Sequence, residues 1–158
     1  MPDAGQGIRT VIVGLDGSAD SHQAVCWVAD LAGPLGAEVV AVHALGMLDQ
    51  LEPGGPVVPT QPHRDEIAAR AEGPWSAPLS AAGVRHRVVL RDGNPVDVVL
   101  GVADEARADL IVLGCRGIGG SPALLLGSTS TQIAQRASCP VTIVPGPART
   151  DEPTQGAF

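Results

Sequence analysis

The sequence contains no lysine, and all ten of its basic residues are arginine. Lysine is the clamp of a Walker-type phosphate loop and the carrier of Schiff-base chemistry, so its absence argues against both kinds of site. A phospho-receiver domain also needs a switch lysine, together with acidic residues clustered at strand ends. These three functions of small α/β proteins are therefore disfavoured.

Aromatic residues are almost as scarce, because Trp27, Trp75 and Phe158 are the only three. With a net charge of −7 and little to stack bases on, the chain is poorly suited to nucleic acid. A flavin usually stacks on aromatic rings as well, which disfavours a flavodoxin-type electron carrier. We predict that both tryptophans are packing residues and that His43 is a core histidine with a satisfied hydrogen bond.

Cysteine pairs of the kind that bind zinc or build a disulfide framework are missing, since Cys26, Cys115 and Cys139 are far apart. We predict no catalytic residues and no metal site built from side chains alone. No apolar run is long enough to span a membrane, and the N-terminus lacks the features of a signal peptide. We therefore expect a cytoplasmic protein that does not bind membranes.

Short apolar runs alternate with segments of helical periodicity along the chain. Since the core must consist of Val, Leu, Ile and Ala, this alternation predicts an α/β fold with a single-domain, doubly wound, five-stranded parallel sheet. The predicted strands are 10–15, 38–44, 85–90, 109–113 and 140–144. One domain is expected over residues 1–147, followed by a disordered tail over 148–158.

Local signals predict where the helices begin and end. Asp20 or Ser21 is predicted to cap the first helix, and Gly36 is predicted to end it. The second helical segment, 63–82, is expected to kink or split at Gly73-Pro74 because proline cannot continue the backbone hydrogen bonding.

The most informative segment is the loop 114–126, which joins the fourth strand to a helix beginning at Gly127. Ligands of open α/β sheets bind at the carboxyl ends of the strands, where this loop lies. Glycines let backbone N–H groups approach anionic oxygens, and a helix N-terminus adds donors and a favourable dipole. Further donors are offered by Arg116, Ser128, Thr129 and Ser130. The loop therefore predicts a phosphate site.

A simpler interpretation stays open for these residues. Glycines often only turn the chain, and Ser128 could serve only to cap a helix. Asp16, at the end of the first strand, could form only an Asx turn. Alternatively, its carboxylate accepts from a ribose hydroxyl or helps to hold Mg²⁺. The position of the loop after a buried strand, its junction with a helix and its glycine density favour the phosphate site.

The spacing Gly114-x2-Gly117-x9-Gly127-Ser128 resembles the nucleotide motif of the universal stress protein family. The resemblance runs from Ile8 to Pro147 and includes the segments VIVGLDGS, VAVHA, RDGNPVDVV, ADLIVLG and SCPVTIV. One departure is that residues 119–122 are richer in glycine than the basic stretch often found there.

This resemblance implies a flavodoxin-like or Rossmann-like sheet, a homodimer and, in one subclass, ATP binding, with Mg²⁺ accompanying the nucleotide and ADP or AMP as alternatives. In that subclass Asp16 lies beside the nucleotide, backbone near Val42 meets the adenine, and the glycine loop holds ribose and phosphates. The candidate nucleotide-binding residues are Asp16, Val42, Leu113, Gly114, Arg116, Gly117, Gly127, Ser128, Thr129 and Ser130.

We therefore expect a dimeric stress-response regulator or sensor that binds an adenine nucleotide. The dimer is predicted to pair through the last strand, Val141–Val144, because an apolar edge strand is a liability unless it is paired. A nucleotide-independent dimeric scaffold and a slow ATPase stay open as alternatives. Efficient hydrolysis is disfavoured because Gly120 stands where the pattern GxxxxGK[ST] requires lysine.

Overall fold

A parallel five-stranded sheet forms the centre of the protein, in the order β3-β2-β1-β4-β5. The computed structural model describes residues 7–45, 60–115 and 126–146. The strands are β1 (Thr10–Gly14), β2 (Glu38–Leu45), β3 (His86–Asp92), β4 (Leu110–Gly114) and β5 (Val141–Val144). The helices are α1 (Ala19–Leu35), α2 (Gln61–Glu72), α3 (Ala77–Ala81), α4 (Pro95–Ala106) and α5 (Ser128–Arg136). The predicted doubly wound α/β sheet is confirmed.

Helices cover both faces of the sheet, because successive side chains of a strand point to opposite sides. Val11 and Val13 of β1 belong to the core beneath α1 and α3, whereas Ile12 belongs to the core beneath α4 and α5. The buried members of both clusters are only Val, Leu, Ile and Ala. Burial of each such Val, Leu or Ile side chain stabilises the folded state by about 1.5–3 kcal/mol, so these aliphatic residues can stabilise the fold without buried aromatic residues.

A flavodoxin-like or a Rossmann-like sheet was expected from the sequence, and the observed strand order is that of the Rossmann sheet. From β1 the chain moves outward through β2 to β3, and it then returns to β4 on the other side of β1. The connections that follow β1 and β4 therefore leave in opposite directions. The carboxyl ends of these two strands form the topological switch point, where ligands of such sheets bind.

The helix ends agree with the sequence signals except at the start of α1 and at the start of α2, which is Gln61 rather than residue 63. Ser18, and not Asp20 or Ser21, is the N-cap, since its side chain accepts from the N–H of Ser21. The helix begins earlier than predicted because Ser18 follows the strand turn directly. Gly36 ends α1 in the left-handed conformation, with φ 63°, as predicted. The predicted break at Gly73-Pro74 is confirmed, because it separates α2 from α3.

The two tryptophans differ in their surroundings. Trp75 packs against the core beneath α1 and α3, as predicted. The prediction is wrong for Trp27, which is 39% exposed. Ala24 and Val28 lie on the face of α1 that packs against the sheet, and Trp27 lies outside that face. Within the described ranges, no helix is long and apolar enough to cross a bilayer.

Candidate functional site

At the switch point, each strand is tied to the helix that follows it by one buried serine. The hydroxyl of Ser21, in the first turn of α1, donates to the carbonyl of Gly14 at 3.1 Å. In the same way, the hydroxyl of Ser130, in the first turn of α5, donates to the carbonyl of Gly114 at 2.8 Å. Both serines are only 6% exposed. The N-termini of the two helices are thereby held beside the ends of β1 and β4.

Ser130 was a sequence candidate for phosphate binding, but its one hydroxyl hydrogen is already donated within the protein. It therefore positions the end of the loop. Ser21 was missed as a residue of the site, although the sequence offered a signal. In both strand–helix junctions, a strand-ending glycine is followed by a serine in the first turn of the next helix.

Asp16 forms the turn between β1 and α1. Its Oδ1 accepts from the N–H of Ser18 at 2.8 Å, which is the Asx hydrogen bond of the simpler interpretation. Its own N–H donates to the hydroxyl of Ser21 at 3.2 Å. Across residues 7–45, 60–115 and 126–146, no donor bonds its Oδ2. The half-buried carboxylate thus holds the turn through one of its two oxygens.

The first glycine of the loop, Gly114, is explained by packing. A Cβ built on it would lie 2.7 Å from the carbonyl carbon of Asp20 and 2.9 Å from the nitrogen of Ser21. These are backbone atoms of α1, which cannot rotate away as a flexible side chain would. Gly114 therefore lets the end of β4 approach the start of α1.

Gly127 closes the loop and caps α5. Its N–H donates to the carbonyl of Cys115 at 2.8 Å, which joins the two ends of the loop. It occupies the N-cap position with φ −68° and ψ 157°, and as a glycine it has no side chain to cap the helix. Ser128 is thus the first helical residue and not the cap.

The first turn of α5 contains Ser128, Thr129 and Ser130, the donors that were predicted from the sequence. The first helical bond at this end runs from Thr131 N–H to the carbonyl of Gly127 at 3.0 Å. In the described part of the chain, the N–H groups of Ser128, Thr129 and Ser130 have no acceptor. Ser128 is exposed and Thr129 is half-buried. A helix end of this kind presents several N–H groups and a positive dipole end to an anion.

The other candidates are distributed differently. The carbonyl of Val42 accepts from the N–H of Leu15 at 2.8 Å, so it is already used within the sheet. Leu113 is buried in the core beneath α4 and α5. Arg116 and Gly117 lie outside the described residues.

A cavity of about 150 Å³ lies at the other end of the strands, where β4 and β5 begin, and includes Asp104, Arg107 and Cys139 in its lining. Burial, together with nearby Asp104 and Asp109, raises the pKa of the Cys139 thiol. The cavity thus lies at the amino ends of the strands, whereas open α/β sheets bind their ligands at the carboxyl ends. Among the described residues, no group of three or more His, Cys, Asp or Glu side chains could hold a metal ion.

A Rossmann-ordered sheet with a glycine N-cap on the helix at its switch point defines a doubly wound α/β protein with a candidate ligand site at the carboxyl ends of its strands. The sequence model of the universal stress protein family matches residues 7–145. The chain therefore belongs to the universal stress protein family.

Individual relatives agree with this assignment. A universal stress protein of Thermus aquaticus is 33% identical over 141 residues, which cover 86% of this chain and 98% of the relative. A universal stress protein of Lactobacillus plantarum has the same fold, with a TM-score of 0.71 at 19% identity, covering 88% of this chain and 99% of that chain. A universal stress protein in complex with cAMP matches with a TM-score of 0.65 at 29% identity, covering 90% and 100% of the two chains.

Proposed function

We propose that this protein binds an adenine nucleotide, with ATP as the preferred ligand, at the switch point between β1 and β4. The observation that carries the proposal is the N-terminus of α5, where three backbone N–H groups have no acceptor within the described part of the chain. These groups and the hydroxyl of Ser128 would meet the phosphates. The Oδ2 of Asp16, which no donor among the described residues bonds, would accept from a ribose hydroxyl or contact Mg²⁺ brought by the nucleotide. The relative that binds cAMP supports an adenine ligand.

The adenine base is assigned to the end of β2, at Ala44 rather than at Val42. The N–H and C=O of one strand residue point to the same side, and this side alternates along the strand. The backbone N–H and C=O of Val42 are directed toward β1, since its carbonyl accepts from Leu15. Those of Ala44, two residues later, are directed to the same side. Because β1 ends at Gly14, Ala44 has no β1 partner and can offer both groups to a base.

Nucleotide binding should raise the melting temperature. At a ligand concentration one hundred times its Kd, the folded state gains about 2.7 kcal/mol. For a chain of this size that gain corresponds to an increase of about 5–10 °C. Protein should first be denatured, and any released nucleotide identified by chromatography. Nucleotide-free protein is then melted with ATP, ADP, AMP and cAMP. A melting temperature that none of the four changes would contradict the proposal and favour a nucleotide-independent scaffold.

We further propose that the bound nucleotide acts as a signal rather than as a substrate, in a cytoplasmic stress-response regulator. Phosphoryl transfer needs a cation that stabilises the developing charge and a group that positions the attacking water. The chain has no lysine to clamp the phosphates. The described donors at α5 are backbone N–H groups and hydroxyls, which hold an anion without activating water.

The two edges of the sheet differ in a way that favours a homodimer through β5. The edge strand β3 carries charged residues, among them Arg87, Arg91 and Asp92. Charged side chains discourage pairing with another chain. The opposite edge strand, β5, has the sequence VTIV and carries no charge. A second copy related by a two-fold axis would pair with its unused backbone groups.

Ile143→Pro should convert the dimer into a folded monomer. The carbonyl of Val144 accepts from Cys115 N–H, so Val144 points toward β4 and Ile143, one residue earlier, points away from the sheet. Proline at 143 would therefore remove an outward donor and leave the bonds to β4 in place. Light scattering at micromolar concentration should report a monomer. Val88→Pro is the matched control, because Val88 occupies an outward position on β3. A dimer that survives Ile143→Pro but not Val88→Pro would place the interface on the other edge.

A further inference from the structure

Trp75 lies directly against the turn that carries Asp16. It follows the break between α2 and α3, and its indole covers Gly17 so closely that a Cβ there would lie 2.5 Å from Cζ2 and 2.7 Å from Cε2. Gly17 has φ +78°, a conformation that favours glycine. The turn therefore fits beneath the ring only because residue 17 has no side chain.

His43 holds the same turn from the adjacent strand. Its Nδ1 lies 2.6 Å from the carbonyl oxygen of Leu15, and since a carbonyl only accepts, Nδ1 carries the hydrogen. The imidazole meets Trp75 edge-on, with ring centroids 5.3 Å apart and an interplanar angle of 63°. Aromatic pairs in this arrangement are mutually attractive beyond the area that they bury. Trp75 thus packs against Gly17 and His43 binds Leu15, the residues on either side of Asp16.

We propose that Trp75, braced by His43, is a positioning residue for Asp16, and this rests on the nucleotide site proposed above. The hydroxyl of Ser21 accepts from the N–H of Asp16, and the N–H of Ser18 donates to its Oδ1, so these two bonds fix the backbone nitrogen and one carboxylate oxygen. They leave Gly17 without the restriction that a side chain would impose, because glycine has the widest conformational freedom. The indole supplies that restraint and keeps Oδ2 directed toward the ligand.

The test compares Trp75→Ala with Trp75→Phe and Leu79→Ala. Leu79 is fully buried in α3 and belongs to the same core cluster, so its replacement loosens the same region without removing the indole that lies against Gly17. Calorimetric titration with ATP should show affinity at least about tenfold weaker for Trp75→Ala, because Oδ2 loses its fixed position. Trp75→Phe should restore most of the affinity. Leu79→Ala should lower the melting temperature and leave the affinity of the folded protein near that of the wild type.

Amide hydrogen exchange provides a readout that needs no nucleotide. Trp75→Ala should speed exchange at Asp16 and Ser18, whose N–H groups are hydrogen-bonded within the turn, relative to the rest of the protein, whereas Leu79→Ala should not. If wild-type protein binds no nucleotide, the proposed function fails, and exchange at these two amides still decides the positioning role. Unchanged exchange in a folded Trp75→Ala protein would overturn the inference, as would equal losses of ATP affinity in Trp75→Ala and Leu79→Ala.

Discussion

Replacement of Gly127 by valine is expected to abolish ATP binding in a protein that still folds. Valine at the N-cap would place two methyl groups in front of the N–H groups that begin α5, where the phosphates are proposed to lie. The fold should tolerate it, because φ −68° and ψ 157° suit a β-branched residue. Gly127 has no positive φ that would require glycine, so only the proposed ligand needs glycine here. Losing a good N-cap residue should cost the helix about 1 kcal/mol.

Calorimetric titration of ATP into Gly127→Val checks this expectation, with a melting curve to establish that the variant is folded. Ser128→Ala is the milder companion. It would remove one hydroxyl bond to a charged oxygen, worth about 1.5–3 kcal/mol, which lowers affinity roughly 10- to 150-fold. Wild-type affinity in folded Gly127→Val would mean that the phosphates bind elsewhere.

Gly114→Ala should instead act on stability. The added methyl group would lie within 2.9 Å of three backbone atoms of Asp20 and Ser21, so β4 or α1 would have to shift. Overpacking of this kind costs about 1–3 kcal/mol, which corresponds to a fall in melting temperature of roughly 2–12 °C. Thermal unfolding measured by circular dichroism tests this directly.

Gly101→Ala is the matched control for Gly114→Ala. Gly101 lies inside α4, and a Cβ built on it would meet no atom within 4 Å. Alanine there should preserve or raise stability by about 0.5–1 kcal/mol, since glycine is a poor residue for a helix interior. If Gly114→Ala proved as stable as Gly101→Ala, the close approach of β4 and α1 would not constrain the fold.

Local chemistry allowed much of the fold to be predicted from the sequence. Short β-branched runs alternating with helical periodicity predicted each strand to within two residues at either end. Gly36 and Gly73-Pro74 gave correct helix ends, because left-handed glycine and proline act on the backbone without help from distant residues. The start of α1 was placed too late, since Ser18, Asp20 and Ser21 are all good caps and only the geometry of the turn chooses among them.

The candidate site was only partly readable in the same way. The sequence predicted the end of β4 and the start of α5 to within one residue, because strand ends and helix starts are local features. The contacts of Trp75 with Gly17 and of His43 with Leu15 join residues about 30 to 60 positions apart. No periodicity or spacing in the chain announces such contacts.

The sequence by itself determined that the protein is a doubly wound α/β domain of the universal stress protein family, with a glycine loop after its fourth strand. The tertiary structure decided what each loop glycine does. Gly114 is required where β4 meets α1, whereas Gly127 has an ordinary backbone conformation and faces the proposed ligand. Two glycines look alike in a sequence because they lack the same atom. They differ only in what would occupy the place of that atom, and that depends on segments brought together by folding.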